Sequence, residues 1–185
     1  MTQRKFWMRW RVRTGYPVAA LFLVLASPTP RMILIGALVS ALGLGVRGYA
    51  SGYLRKDREL ATAGPYARTR NPLYLGSAIL AGGFVIAGDS IWAAILAALY
   101  FSVFYYAVMR NEEEDLRKRF GMAFDEYAAR VPLFFPALRA KSTGEAAKFS
   151  WAQYARNREY QALIGAALGV GVMWARMYIR HRFGY

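Results

Sequence analysis

The chain has 185 residues, 56% hydrophobic and 19% charged, and its 25 lysines and arginines against 11 acidic residues give a formal net charge of +14. The apolar residues gather into blocks close to the roughly 20 residues that cross a bilayer as a helix, which predicts an all-α integral membrane protein of one domain, residues 1–185. With no cysteine and a single histidine, His181, the composition excludes disulfides, a cysteine nucleophile and any thiolate or histidine-rich metal site.

The arginines flank the apolar blocks. That placement fits anionic lipid headgroups and control of topology better than nucleic acid. Residues 1–13 carry Arg4, Lys5, Phe6, Trp7, Arg9, Trp10, Arg11 and Arg13, an interfacial composition. Followed by the apolar run 16–26, this stretch has the pattern of a secretory signal, and it is read here as a first transmembrane helix. Ser27-Pro28-Thr29-Pro30 predicts a tight turn. The second span, 32–53, carries Gly36, Gly43, Gly45, Gly48 and Gly52. Close helix packing is the preferred reading for Gly43-Leu44-Gly45, and close approach to a cofactor is the alternative. Arg47 within this span either snorkels to the interface or faces an internal polar cavity.

A basic loop, 54–72, leads to a third span at 73–87. Gly88-Asp89-Ser90 is a short turn in which Asp89 or Ser90 caps the next helix. The fourth span, 91–109, ends among Tyr100, Phe101, Phe104, Tyr105 and Tyr106, which read as an aromatic belt. The helix is expected to continue out of the bilayer from Arg110 to Phe120 and to end or bend at Gly121. Phe124, Tyr127 and Val131 mark a short amphipathic stretch stopped by Pro132 and Pro136. Residues 137–158 are polar and basic, and a last apolar block, 160–179, is long enough to span.

About five transmembrane helices result. The positive-inside rule puts the N-terminus and the segments 54–72 and 110–158 in the cytoplasm. A fifth full span then sends Arg176, Arg180 and Arg182 outside, against that rule. The alternatives are a re-entrant or interfacial last block, or a topology dominated by the earlier loops.

Two polar clusters fall on the predicted cytoplasmic face. One is the run from Gly64 to Gly76, and the other is Glu112-Glu113 at the exit of the fourth span. A helical hairpin through 88–90 makes them neighbours. Carboxylates beside a bilayer suggest function. The opposing reading is a solvated acidic face neutralised by Arg117, Lys118 and Arg119.

The run Gly64-Pro65-Tyr66 … Arg70-Asn71-Pro72-Leu73-Tyr74-Leu75-Gly76 resembles the Arg-His-Pro-x-Tyr-x-Gly signature of the isoprenylcysteine carboxyl methyltransferase and phospholipid N-methyltransferase superfamily. Glu112-Glu113-x-x-Leu116-x-x-x-Phe120-Gly121-x-x-Phe124-x-x-Tyr127-x-x-x-Val131-Pro132 … Pro136 is similar to its C-terminal signature. The resemblance implies an integral membrane methyltransferase that uses S-adenosylmethionine, releases S-adenosylhomocysteine and has its cofactor pocket on the cytoplasmic face. It implies a lipid or lipidated acceptor entering from the bilayer. It further implies that Tyr66, Arg70, Asn71, Pro72, Tyr74, Leu75, Gly76 and Tyr127 line the cofactor pocket, with Glu112 and Glu113 holding its amino or hydroxyl groups. Arg130 matches the arginine that orients an acceptor carboxylate together with Arg70, so that Arg70, Arg130 and Glu113 are the expected catalytic set.

Two positions depart from the pattern: Asn71 stands in place of histidine, and Phe124 in place of a frequent tyrosine. Asparagine cannot act as a base near neutral pH. A carboxylate acceptor needs no base, whereas an ammonium acceptor must lose a proton first, to Glu112, Glu113 or water. Carboxylate O-methylation of a lipidated or small lipophilic acceptor, toward which Arg70 and Arg130 lean, is the leading expectation, and phospholipid amine N-methylation is the alternative. A non-enzymatic membrane scaffold or lipid-binding protein is the competing class. A transporter is weaker, since few spans carry ionisable residues and no repeat is visible.

Overall fold

The computed structural model describes residues 3–55, 59–139 and 148–183. Within the first helix, Trp10 and the side chains from Arg13 onward are described; the other basic and aromatic residues of the N-terminal stretch, with Lys56, Arg58 and 140–147, lie outside the described side chains. The elements are all helical in the described residues. They are α1 (Gln3–Leu25), α2 (Pro30–Tyr53), a 3₁₀ turn (Gly64–Ala67), α3 (Pro72–Gly88), α4 (Ile91–Phe120), α5 (Met122–Arg130), α6 (Trp151–Arg156) and α7 (Tyr160–Phe183).

The helix boundaries follow local chemistry. Thr29 caps α2, its hydroxyl accepting from Met32 N at 3.4 Å, with Pro30 in the first turn where no amide is needed. Of the two candidates at the 88–90 turn, Ser90 caps α4, accepting from Ala93 N at 3.4 Å. Asp89 instead closes α3 in the left-handed region, with φ 44°. α4 runs on without a break past the apolar run to Phe120, as expected, and Gly121 turns the chain at φ 52°.

α2 and α3 are antiparallel and almost touch. A Cβ on Gly36 would stand 2.3 Å from the Gly83 carbonyl oxygen, and one on Gly43 would stand 2.5 Å from Leu80 N and 2.6 Å from the Gly76 carbonyl oxygen. Ser40 adds a hydrogen bond to the Leu80 carbonyl at 3.2 Å. Gly43 therefore serves helix packing, while Gly45 meets nothing within 4 Å.

Small residues fill the inside and large apolar ones face out. Leu38 (71%) and Leu99 (62%) are exposed, as are Leu34, Leu42, Val103, Leu163, Ile164 and Leu168. Continuous apolar faces of this size need lipid or a partner to cover them. Among the described residues three helices, α2, α4 and α7, are long and apolar enough to cross a membrane, and Arg13–Leu25 and Pro72–Gly88 are shorter apolar helices. The five expected spans thus all exist as helices, with three meeting the length and composition of a full crossing.

The last block forms one uninterrupted helix, and Arg176 is not a stray charge. It donates from Nε to the Leu23 carbonyl at 3.0 Å and from a terminal nitrogen to the Val24 carbonyl at 3.1 Å. These are carbonyls of the last turn of α1, which has no helical partners for them.

Candidate functional site

The first signature folds by turn chemistry. Gly64 has φ 60°, and a Cβ there would stand 2.7 Å from the Tyr53 ring, so glycine is required on both counts. Pro65 starts the 3₁₀ turn, and its carbonyl accepts from Arg68 N at 3.1 Å and Thr69 N at 3.3 Å. The chain then runs extended, and its polar groups find partners more than sixty residues away.

Pro132 and Pro136 stop α5, as expected, and hold the segment between them open. Its carbonyls serve the first signature. Arg70 N donates to the Pro132 carbonyl at 2.9 Å, Thr69 Oγ1 to Phe134 at 2.8 Å and Asn71 Nδ2 to Leu133 at 3.0 Å. Ala137 N returns a bond to the Arg68 carbonyl at 2.8 Å. Asn71 thus acts as a donor that fixes the two signatures to each other.

At the centre, Arg70 Nε lies 2.8 Å from Glu113 Oε1, and both residues are largely buried. A terminal nitrogen of Arg70 donates to the Ala128 carbonyl at 3.0 Å. Arg110 donates to the other oxygen of Glu113 at 2.9 Å. The expected neighbourhood of the two clusters is therefore present, built on the α3–α4 hairpin. Tyr127 Oη donates to the Tyr66 carbonyl at 2.7 Å, tying α5 to the 3₁₀ turn. Tyr74 Oη donates to Glu112 Oε1 at 2.9 Å, with its ring edge-on to Tyr105 at 5.6 Å.

Three buried polar atoms lack an aligned hydrogen-bond partner among the described residues: Tyr66 Oη, Arg70 Nε and Glu113 Oε1. The last two face each other as an ion pair without a straight N–H···O bond. Atoms of this kind are costly unless something satisfies them. Burial pushes the Tyr66 phenol well above its usual range, and Tyr127 and Glu112 push it further. Burial also raises Tyr127; Arg70 opposes the rise and Glu113 adds to it. Both phenols stay protonated near neutral pH and act as donors, not bases.

These groups open on one cavity of about 920 Å³. Tyr66, Arg70, Asn71, Pro72, Tyr74, Glu112, Glu113 and Tyr127, which the resemblance assigns to a cofactor pocket, all line it. Leu75 and Gly76 do not. A Cβ on Gly76 would stand 2.6 Å from Arg47 Cγ and 2.8 Å from the Gly43 carbonyl oxygen, so this glycine serves the α2–α3 contact. Arg130 does not line the cavity either. It reaches back along α5 to the Glu126 carbonyl at 3.0 Å and the Glu126 carboxylate at 3.7 Å, and is 44% exposed.

Two lining residues lie outside both signatures. Arg47 faces the cavity, which settles its two readings in favour of an internal polar site, and Glu159 at the start of α7 binds it through both oxygens, at 3.0 and 3.1 Å. The only hint in the sequence is an acidic residue directly before an apolar block. A smaller chamber of about 380 Å³ adjoins the cavity, lined by apolar residues of α1, α3, α4 and α7. Gly15, Ala19, Tyr100 and Tyr105 line both spaces. Tyr100 and Tyr105 therefore belong to the site rather than to an outer aromatic belt, whereas Tyr106 is exposed.

Comparison with known proteins bears out the superfamily resemblance. A family model described as phospholipid methyltransferase matches residues 20–123, more than half of the chain. The chain belongs to the phospholipid methyltransferase family. Membership places it in the wider superfamily of membrane methyltransferases whose signatures it resembles, and points to methyl transfer at a membrane. The nickel-cobalt-cadmium resistance protein NccN of Alcaligenes xylosoxydans xylosoxydans is 38% identical over 129 residues, covering 68% of this chain and 56% of that protein. The cobalt-zinc-cadmium resistance protein CzcN of Cupriavidus metallidurans is 33% identical over 144 residues, covering 72% of this chain and 66% of that protein. The chain thus matches less than two thirds of the length of either relative. No solved structure matches it. Of the residues lining the cavity, Gly15, Tyr16 and Ala19 precede the matched 20–123, and Phe124, Tyr127 and Glu159 follow it.

Proposed function

We propose that this chain transfers the methyl group of S-adenosylmethionine to a lipophilic acceptor held in the membrane, from a cavity that opens on the cytoplasmic face. The observation that carries the reading is the junction of two spaces. A polar cavity with unsatisfied buried donors and acceptors meets an apolar chamber at Tyr100 and Tyr105. Such a junction suits a polar cofactor on one side and a hydrocarbon-bearing acceptor on the other.

The cofactor, when bound, supplies an electrophilic methyl carbon on a positively charged sulfur. Tyr66 Oη would donate to its polar groups and Glu113 Oε1 would accept from them, with Arg70 paired to Glu113 at 2.8 Å. Glu112 is oriented by Tyr74. With a carboxylate acceptor, the cofactor would supply its methyl group to an oxygen that is already a nucleophile. No side chain has to take a proton, so Asn71 in place of histidine is no obstacle. The work of the site is alignment within near-attack distance. Amine N-methylation is the second reading; Glu112 and Glu113 in the cavity wall favour it, as a carboxylate there would take the proton an ammonium must lose. The relatives are named for resistance to metal ions, and on this reading the chain's part in such a trait would be methylation of a membrane component.

Isothermal titration of the purified chain with S-adenosylhomocysteine tests the reading directly. Saturable binding is expected, and no heat at millimolar ligand overturns it. A labelled-methyl assay on a total lipid extract then separates ester from amine products.

A further inference from the structure

Arg47 lies inside the apolar run of α2, where an ionisable side chain marks function by default. Its guanidinium is seated from two directions. From α3, the Leu73 carbonyl accepts at 3.5 Å and the Ser77 hydroxyl accepts a short bond. From the start of α7, Glu159 accepts from Nε at 3.1 Å and from a terminal nitrogen at 3.0 Å. The α3 contacts do not depend on Glu159, so they keep the fork oriented whatever carboxylate fills it. A forked guanidinium of this kind is a fitted seat for a planar anion. It stands at the cavity wall, which Tyr74 also lines.

The other arginines expected to hold an anion are committed elsewhere, Arg70 to Glu113 and the Ala128 carbonyl, Arg130 to Glu126. Glu159, by contrast, is carried on a corner rather than inside a helix. Arg158 there has φ 57°, and Asn157 ties the corner to the Ser51 and Leu54 carbonyls at 2.9 Å each.

We propose that Arg47 receives the anionic head of the methyl acceptor, and that Glu159 is a built-in carboxylate which the acceptor displaces. The inference rests on the methyl-transfer reading of the cavity. Exchanging one carboxylate for another leaves the buried charge unchanged, whereas an anion bound elsewhere in the cavity would add an uncompensated one. The exchange also gives a direction to turnover. Methylation of a carboxylate converts it to a neutral ester, which no longer competes for the fork. Glu159 then returns to Arg47 and the product is released.

The test uses the full chain in phosphatidylcholine nanodiscs, with empty discs subtracted. The probes are a dansyl-labelled undecanoate, its methyl ester and the corresponding undecyl phosphate, read by dansyl emission. Glu159→Gln is expected to tighten the undecanoate about tenfold or more, a change of about 1.4 kcal/mol, and to leave the methyl ester unaffected. Arg47→Gln is expected to remove the preference for the acid over the ester. Equal tightening of the phosphate probe assigns the seat to phosphate heads as well; tightening of the acid alone assigns it to carboxylates. An unchanged or weakened undecanoate affinity in Glu159→Gln overturns the proposal. Should that variant not fold, Asn157→Ala loosens the same corner with the charge intact; a several-fold gain for the acid supports the seat, and no gain overturns it. Wild-type chain that binds the acid as expected but fails to bind S-adenosylhomocysteine defeats the methyl-transfer reading and leaves the anion seat standing.

Discussion

Arg70 and Arg130 were equivalent in the sequence and are not equivalent in the molecule. Among the described residues, removing Arg70 leaves Glu113 buried with the half-exposed Arg110 as its remaining ion-pair partner. Breaking one partner of a buried pair costs about 3–5 kcal/mol. Arg70→Ala is therefore expected to lower the thermal midpoint sharply and to abolish S-adenosylhomocysteine binding in titration. Arg130→Ala removes a surface pair worth about 0–1 kcal/mol and is expected to leave both unchanged. Cofactor binding lost equally in both variants would restore Arg130 to the site. The phenols set a pH limit. Tyr66 and Tyr127 have folded pKa values raised above the unfolded value of about 10. The folded state keeps these protons while the unfolded state loses them, so stability is fully present below about pH 10 and declines as pH rises beyond it. Thermal midpoints measured across that range are expected to be flat near neutrality and to fall in the alkaline limb, with a shallower fall in Tyr127→Phe.

The elements were legible where one local rule decided them. Apolar blocks gave the helices, Gly121 gave the end of α4, and the prolines gave the end of α5. The glycines were legible only as a class. Spacing cannot say that Gly43 and Gly83 touch an opposing backbone while Gly45 touches nothing, since that depends on which face of α2 meets α3. Gly83→Ala would place a methyl group 2.4 Å from the Gly36 carbonyl oxygen and 2.2 Å from Ser40 Oγ. It is expected to cost about 1–3 kcal/mol by overpacking, read as a lower thermal midpoint, while Gly45→Ala is neutral or slightly stabilising. Equal effects at the two positions would mean that α2 and α3 do not pack through this stripe. Arg130 was misplaced for a related reason. Its match to a signature fixed its position on α5, but its side chain had Glu126 within reach one turn back. Glu159 was illegible because its partner lies 112 residues away, and no periodicity links the two.

At the scale of the whole molecule, the proposed cytoplasmic cavity sets the orientation that labelling would test. Residues 110–130 lie beside the cavity, and the 27–31 and 88–90 turns lie together at the other end, where Ser27 N donates to the Gly88 carbonyl at 2.7 Å. The chain has no cysteine, so single cysteines report cleanly. Glu126→Cys is expected to react with an impermeant maleimide only in inverted vesicles, and Arg31→Cys only in right-side-out ones. Both labelled from one side would mean that the two ends share a compartment and that the helices between them do not cross.

The stitching of residues 68–71 to residues 132–137 has a consequence for synthesis. As the chain leaves the ribosome, α2, α3 and α4 can each enter the bilayer with their own hydrogen bonds complete. Arg70, Thr69 and Asn71 cannot, because the carbonyls that receive them have not yet been made. The nascent protein is therefore anchored first, and the last of the bonds that fix residues 68–71 forms only after Ala137 has emerged.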